Sequence, residues 1–242
     1  MRKKILIIGY TEWKKIGFTK GTLHYTKKNS EADKPFFLNA HVWERLESLK
    51  MNHTLFLMIK MKDDIHIREA KESDFDDVMR VEKEAFGYEK EAILVSELLE
   101  DKSAAPVLSL LAFKNDEAVG HILFTKATLN GKTSPLIYLL APLAVKPQHQ
   151  KQGIGGMLIN EGLEKLRKIG AEMVFVLGHE SYYPKYGFKQ DAGSMGFDAP
   201  YPIPEEHAGA WMVYPLNPES SDKVKGKVIC ADALNKPEHW RE

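Results

Sequence analysis

Cysteine is almost missing from this chain: Cys230 stands alone, so neither an internal disulfide nor a cysteine-rich zinc site can form. That usage fits a reducing, cytoplasmic setting. An excess of one charge is missing too, since 34 Lys+Arg balance 34 Asp+Glu and the isoelectric point falls near 7.1. With no net field to hold a polyanion, nucleic acid and an anionic membrane surface are disfavoured as partners. No apolar run approaches the ~20 residues of a membrane span. Arg2-Lys3-Lys4 followed by Ile5 to Ile8 is also too short for the ~7–15-residue apolar stretch of a signal peptide. The nine histidines are scattered and no His-Glu-x-x-His helix occurs, so no metal site is expected. Internal repeats and low-complexity segments are absent.

What remains is 242 residues, 43% of them hydrophobic, enough for one or two domains at ~100–200 residues each. Residues 1–60 are Lys-rich with short apolar islands and read as an extension of unknown role, in which Asn39 is placed to cap a short helix through Val42, Leu46 and Leu49. The patterning turns regular from Ile65, which sets a domain over residues 61–218 and a polar C-terminal tail over 219–242. Ile65 and Ile67 alternate with polar residues as a strand, and Ser73 with Asp76 suggests a capping box before a helix that ends at Gly87. A second helix carries Ile93, Leu94 and Leu98. Residues 107–113, 118–129 and 136–145 then read as three antiparallel strands, the last two joined by Asn130-Gly131, a dipeptide suited to a type I′ turn. Pro142 cannot donate to a ladder, so the third strand must be bulged or free-edged there. A loop, a helix ending at Gly170 and an apolar strand at 173–177 follow. That order makes a crossover unit whose last strand pairs parallel to 136–145. The class is therefore α/β, a mixed and mostly antiparallel sheet flanked by helices.

Gly153 and Gly155 sit where a polar loop enters a helix, and such a start offers unpaired N–H groups and a positive dipole end to a phosphate. A dinucleotide fingerprint would need a third glycine where Leu158 stands, and a Walker loop would need Lys-Ser/Thr after Gly156, which Met157 precludes. The sequence Gln150-Lys151-Gln152-Gly153-Ile154-Gly155 instead resembles the Gln/Arg-x-x-Gly-x-Gly/Ala motif of the GCN5-related N-acetyltransferase (GNAT) superfamily. Tyr183-Pro184-Lys185-Tyr186-Gly187-Phe188 resembles its second landmark, a Tyr four residues before Gly-Phe. Ala141-Pro142-Leu143-Ala144-Val145 and Val176-Leu177-Gly178-His179 look like the YhbS-like branch of predicted acetyltransferases. The likeness spans roughly residues 65–216.

This resemblance implies a sheet splayed around its parallel strand pair, with acetyl-CoA as acyl donor and no metal. It implies pyrophosphate on the loop at Gln150, Lys151, Gln152, Gly153, Ile154, Gly155 and Gly156, and pantetheine along Leu143, Ala144 and Val145, with the Val145 N–H facing the thioester carbonyl. Tyr183 is implied beside the sulfur. A thiol near 8.5 facing a phenol near 10 makes complete proton transfer uphill by about 2 kcal/mol, so Tyr183 is better described as a hydrogen-bond donor to developing thiolate. The family's frequent strand carboxylate is missing, because 139–145 holds no acid or histidine. His179, at the end of the next strand, is then a candidate base. The expected acceptor is a primary amine on a small molecule or peptide, selected by Phe86 to Tyr88, the Pro200 to Glu206 segment and Trp211. Direct attack in a ternary complex is expected, since Cys230 lies outside both motifs. A non-catalytic acyl-CoA sensor on the same fold is the alternative, and a homodimer stays open.

Overall fold

The computed structural model of the protein describes residues 13–19, 22–27, 65–217 and 224–240. The chain divides into two units, Met1–Asp63 and Asp64–Glu242. In the first, β1 (Trp13–Thr19) and β2 (Thr22–Lys27) form an antiparallel hairpin with a register shift between Lys15 and Gly17. The helix expected after Asn39 and the boundary near residue 61 lie outside the described residues.

The second unit follows its turn chemistry. β3 (Ile65–Glu69) leads into α1 (Phe75–Phe86) and α2 (Lys90–Glu100), with Gly87 closing α1 in the left-handed conformation. β4 (Leu108–Lys114) and β5 (Glu117–Leu129) turn at Asn115-Asp116, and β5 meets β6 (Lys132–Val145) at Asn130-Gly131; all four turn residues have positive φ, as a type I′ reversal requires. α3 (Ile154–Lys168) carries the chain back to β7 (Met173–Leu177), which pairs parallel to β6, and β8 (Trp211–Pro215) completes the path β3-β4-β5-β6-β7-β8. Alternation sends Leu111, Leu123 and Phe175 to the face covered by α1 and α2, and Leu110, Ile122 and Phe124 to the face covered by α3.

Two expectations are corrected. Residues 224–240, read as part of a polar tail, pack onto the domain: β9 (Val228–Ile229) pairs with the end of β5, and Trp240 is buried against Trp211 with its indole N–H donating to the Leu234 carbonyl at 2.8 Å. Their apolar run Val228-Ile229-Cys230-Ala231 is only four residues long, too short to show a period. The entry to α1 is also held differently. Asp74 rather than Ser73 organises it, taking both Arg68 guanidinium nitrogens at 2.6 and 2.9 Å and the Lys71 N–H at 2.7 Å.

The Arg68 hydrogen bonds, reinforced by the Lys71 amide, hold the Asp74 carboxyl at about 2, below the usual 3.8. A depressed folded-state value gives stabilisation that is complete above pH ~4 and is lost as pH falls through 2. With Arg68 partly solvated, that stabilisation is about 1–2 kcal/mol. Asp74→Asn should therefore lower the denaturation free energy by that amount at pH 7, and the gap between the two proteins should close on acidification to pH 2.

Candidate active site

Parallel pairing between β6 and β7 is short, running only from Ile137↔Met173 to Leu139↔Phe175. β7 pairs with β8 on its other edge along its whole length, from Met173↔Pro215 to Leu177↔Trp211, whereas β6 continues to Val145 beside β5. The β5–β6 register shifts between Phe124↔Leu140 and Ile122↔Leu143, so Ala141 and Pro142 bulge opposite Leu123. The bulge anticipated from Pro142 is present. Past Leu139 the β7-facing edge of β6 has no strand partner among the described residues, so the sheet opens as a wedge there.

The glycine turn closes the same end. Lys146 follows Val145 and is almost wholly buried, its ammonium 2.8 Å from Glu117 and 3.5 Å from Glu84, so it anchors the strand end and is not part of a solvated loop. Gln150 donates to the Val145 carbonyl at 3.0 Å, and Gln152 donates to the Gln148 carbonyl while accepting from Lys114. These two side chains brace the turn. Lys151 is exposed with φ 60°, and Gly153 caps α3 with φ 84°. The first backbone bond of α3 is Met157 N–H to the Gly153 carbonyl, so the amides of Ile154, Gly155 and Gly156 have no acceptor within the helix. Gly120 lets α3 approach closely: a Cβ there would lie 3.1 Å from both Ile154 and Leu158.

Three tyrosines of the 182–186 turn stand over this helix start in different ways. The Tyr182 hydroxyl rests against Gly155, next to Leu143, and the Tyr186 ring lies against Gly156. Tyr183 instead packs its ring on Gly178 at the end of β7 and edge-on to Phe188 at 5.6 Å. Burial pushes both the Tyr182 and Tyr183 phenols above their ordinary value, with a Tyr186 hydrogen bond adding to the shift at Tyr182. His179 is exposed beyond β7, and its carbonyl accepts the Tyr182 N–H at 3.0 Å. Trp211 does not face an acceptor: it is buried, stacked on Phe175 at 5.4 Å, and donates to the Phe197 carbonyl. Cys230 is buried and its thiol is pushed up to about 11 by desolvation, which denies it a thiolate at neutral pH.

Sequence reasoning passed over Glu82 and His121, both fully buried and in contact across the α1–β5 interface. The signal was present. Glu82 shares the inward stripe of α1 with Val78 and Val81, and His121 interrupts an apolar strand.

A family description, Acetyltransferase (GNAT) domain, matches residues 66–190, just over half of the chain. The chain belongs to the GNAT acetyltransferase family. An Escherichia coli K12 relative named uncharacterized N-acetyltransferase YjhQ is 54% identical over 161 residues, covering 66% of this chain and 88% of the relative. Among solved structures, the E. coli GNAT protein YhbS in complex with CoA superposes with a TM-score of 0.65 at 26% identity, covering 72% of this chain and 93% of that one. A Brucella melitensis GNAT acetyltransferase in complex with acetyl-CoA gives 0.57 at 29% identity, over 71% and 99%. The mixed sheet expected from the sequence is the sheet of this GNAT domain.

A Cβ on Gly153 would meet nothing within 4 Å, so the cost of substitution there is purely conformational. Gly153→Ala should lose about 1–2 kcal/mol from the left-handed backbone alone, read as a shift in urea midpoint with unchanged slope.

Proposed function

We propose that this GNAT domain transfers an acetyl group from acetyl-CoA to a primary amine by direct attack in a ternary complex. The observation that carries the reading is the coincidence, at one end of the sheet, of the unpaired β6 edge past the Ala141-Pro142 bulge and the bare first-turn amides of α3. An amide-rich pantetheine arm matches the first, along Leu143, Ala144 and Val145, and a diphosphate matches the second, along Lys151 to Gly156. The CoA complexes of the two structural relatives support the same ligand. Acetyl-CoA contributes the activated thioester; the chain's own part is to orient it, exclude water and manage charge.

Charge appears at two points. The thioester carbonyl gains negative charge on attack, and the Val145 N–H is the proposed donor to it. The departing sulfur also gains charge, and a tyrosine of the 182–186 turn is the proposed donor there. Because burial raises the Tyr183 phenol further above a thiol, Tyr183 stays neutral and stabilises thiolate by hydrogen bonding, while the amine's second proton ends on sulfur. Buried, non-ionised Cys230 supports direct attack over an acyl-cysteine intermediate. The absence of a carboxylate in residues 139–145 favours one competing reading, a sensor that binds acyl-CoA without turnover.

Thermal shift with acetyl-CoA, ATP and NAD, followed by thiol release across a panel of primary amines, tests the reading. Acetyl-CoA alone should raise the melting temperature, and at least one amine should release thiol. Binding without release for any amine would favour the sensor. Tyr183→Phe should lower kcat by roughly 10²-fold with acetyl-CoA affinity retained, and a larger loss in Tyr182→Phe would move the donor role to Tyr182. His179→Ala should reshape the neutral-pH rate profile if His179 is the base; an unchanged profile removes it from that role.

A further inference from the structure

The covered face of β5 holds polar groups that the acetyl-transfer reading has not used. Glu82 of α1 is fully buried, with Oε1 2.5 Å from Nδ1 of His121 on β5. The other ring nitrogen of His121 is 2.9 Å from the Ser109 hydroxyl on β4. With a carboxylate on Nδ1 the ring donates there, so Nε2 accepts from Ser109 while neutral and donates once the ring is protonated. Yet Oε2 of Glu82 has no hydrogen-bond partner.

A second carboxylate adds to the puzzle. Glu91 on α2 accepts from the exposed Tyr88 hydroxyl at 3.2 Å through Oε1, and its own Oε2 is also buried without a partner. Burial, and to a lesser degree the like charge of Glu91, push the Glu82 carboxyl upward, while His121 opposes the shift. These two, His121 from β5 and Glu91 from α2, are the titratable groups acting on Glu82 across its neighbouring elements. Two bare acidic oxygens in one apolar layer are costly unless something cationic joins them.

Their position says what that cation is for. His121 pairs across the sheet with Ala144, within the β6 segment that borders the wedge, and α1 packs over both β5 and β6. We propose that Glu82, braced by His121 and Ser109, takes the proton from the acceptor's ammonium, and that Glu91 of α2, with the exposed Tyr88 before it, receives that ammonium first. The inference rests on the acetyl-transfer reading and supplies the acid-base group that residues 139–145 lack.

The protons balance. The ammonium gives one to the Glu82–His121 pair, the freed nitrogen lone pair forms the C–N bond, the C–S bond breaks, and the second N–H proton goes to sulfur. The pair then returns its proton to solvent, so R–NH3+ and acetyl-CoA yield the N-acetyl amine, CoA thiol and H+.

The test compares wild type, Glu82→Gln, Glu82→Asp and Glu91→Gln as full chains, with n-butylamine and a peptide bearing a free α-amine as probes. Glu82→Gln is nearly isosteric and should bind acetyl-CoA as wild type does. Its kcat/KM should fall by roughly 10²–10⁴-fold and lose the acidic limb of its pH profile, with partial rescue in Glu82→Asp. Glu91→Gln removes a charge that raises the Glu82 carboxyl, so it should move the acidic limb to lower pH. Wild-type rate and profile in Glu82→Gln would overturn the proposal while leaving acetyl transfer standing. Should Glu82→Gln not fold, an unmoved limb in Glu91→Gln overturns it. A wild-type protein that binds acetyl-CoA but acetylates neither probe nor any panel amine would sink both readings together.

Discussion

The structure depends on a hydrogen-bond ladder that stops. Three residue pairs hold β6 to β7, and the pairing ends at Leu139↔Phe175, just before β6 bulges at Ala141-Pro142. A sheet interior normally satisfies every N–H and C=O, so an opened edge inside a seven-stranded sheet is unfavourable unless something else fills it. Here the turn after β6 brings the bare amides of α3 to the same end. Neither feature alone specifies a ligand. Together they carry the proposal of a ligand with a diphosphate at one end and an extended amide chain at the other.

Much of the surrounding packing serves to hold that opening in place. Buried Lys146 ties the end of β6 to Glu117 and Glu84, and Gln150 returns to the Val145 carbonyl, so the strand end cannot fray. Small residues set the distance of α3 from the sheet. Gly120 admits Ile154 and Leu158, and Gly162 admits the Phe124 ring, which keeps the helix close above β5. The aromatic turn at 182–186 then covers Gly155 and Gly156 with Tyr182 and Tyr186 while sinking Tyr183 into the core.

The fold was largely legible in the sequence because its signals are local. A polar turn between residues 113 and 118, the Asn130-Gly131 dipeptide, glycines at helix ends, and a proline in an apolar run each report on a few neighbouring residues. The glycine turn was legible for the same reason. What stayed hidden is non-local: Glu82 and His121 are 39 positions apart and meet only once α1 lies on β5. Lys146 looked like a loop lysine because its two carboxylate partners come from β5 and α1. Residues 224–240 looked polar because their apolar content is one four-residue run at Val228 to Ala231 and a few scattered side chains such as Trp240, too short a pattern to show a period.

Amide hydrogen exchange with and without CoA tests the central claim most directly, since each proposed contact is a named backbone N–H. CoA should slow exchange at residues 143–145 and 151–156 while leaving the β3–β4 pair unchanged. Protection confined to any other segment, or none at saturating ligand, would contradict the account.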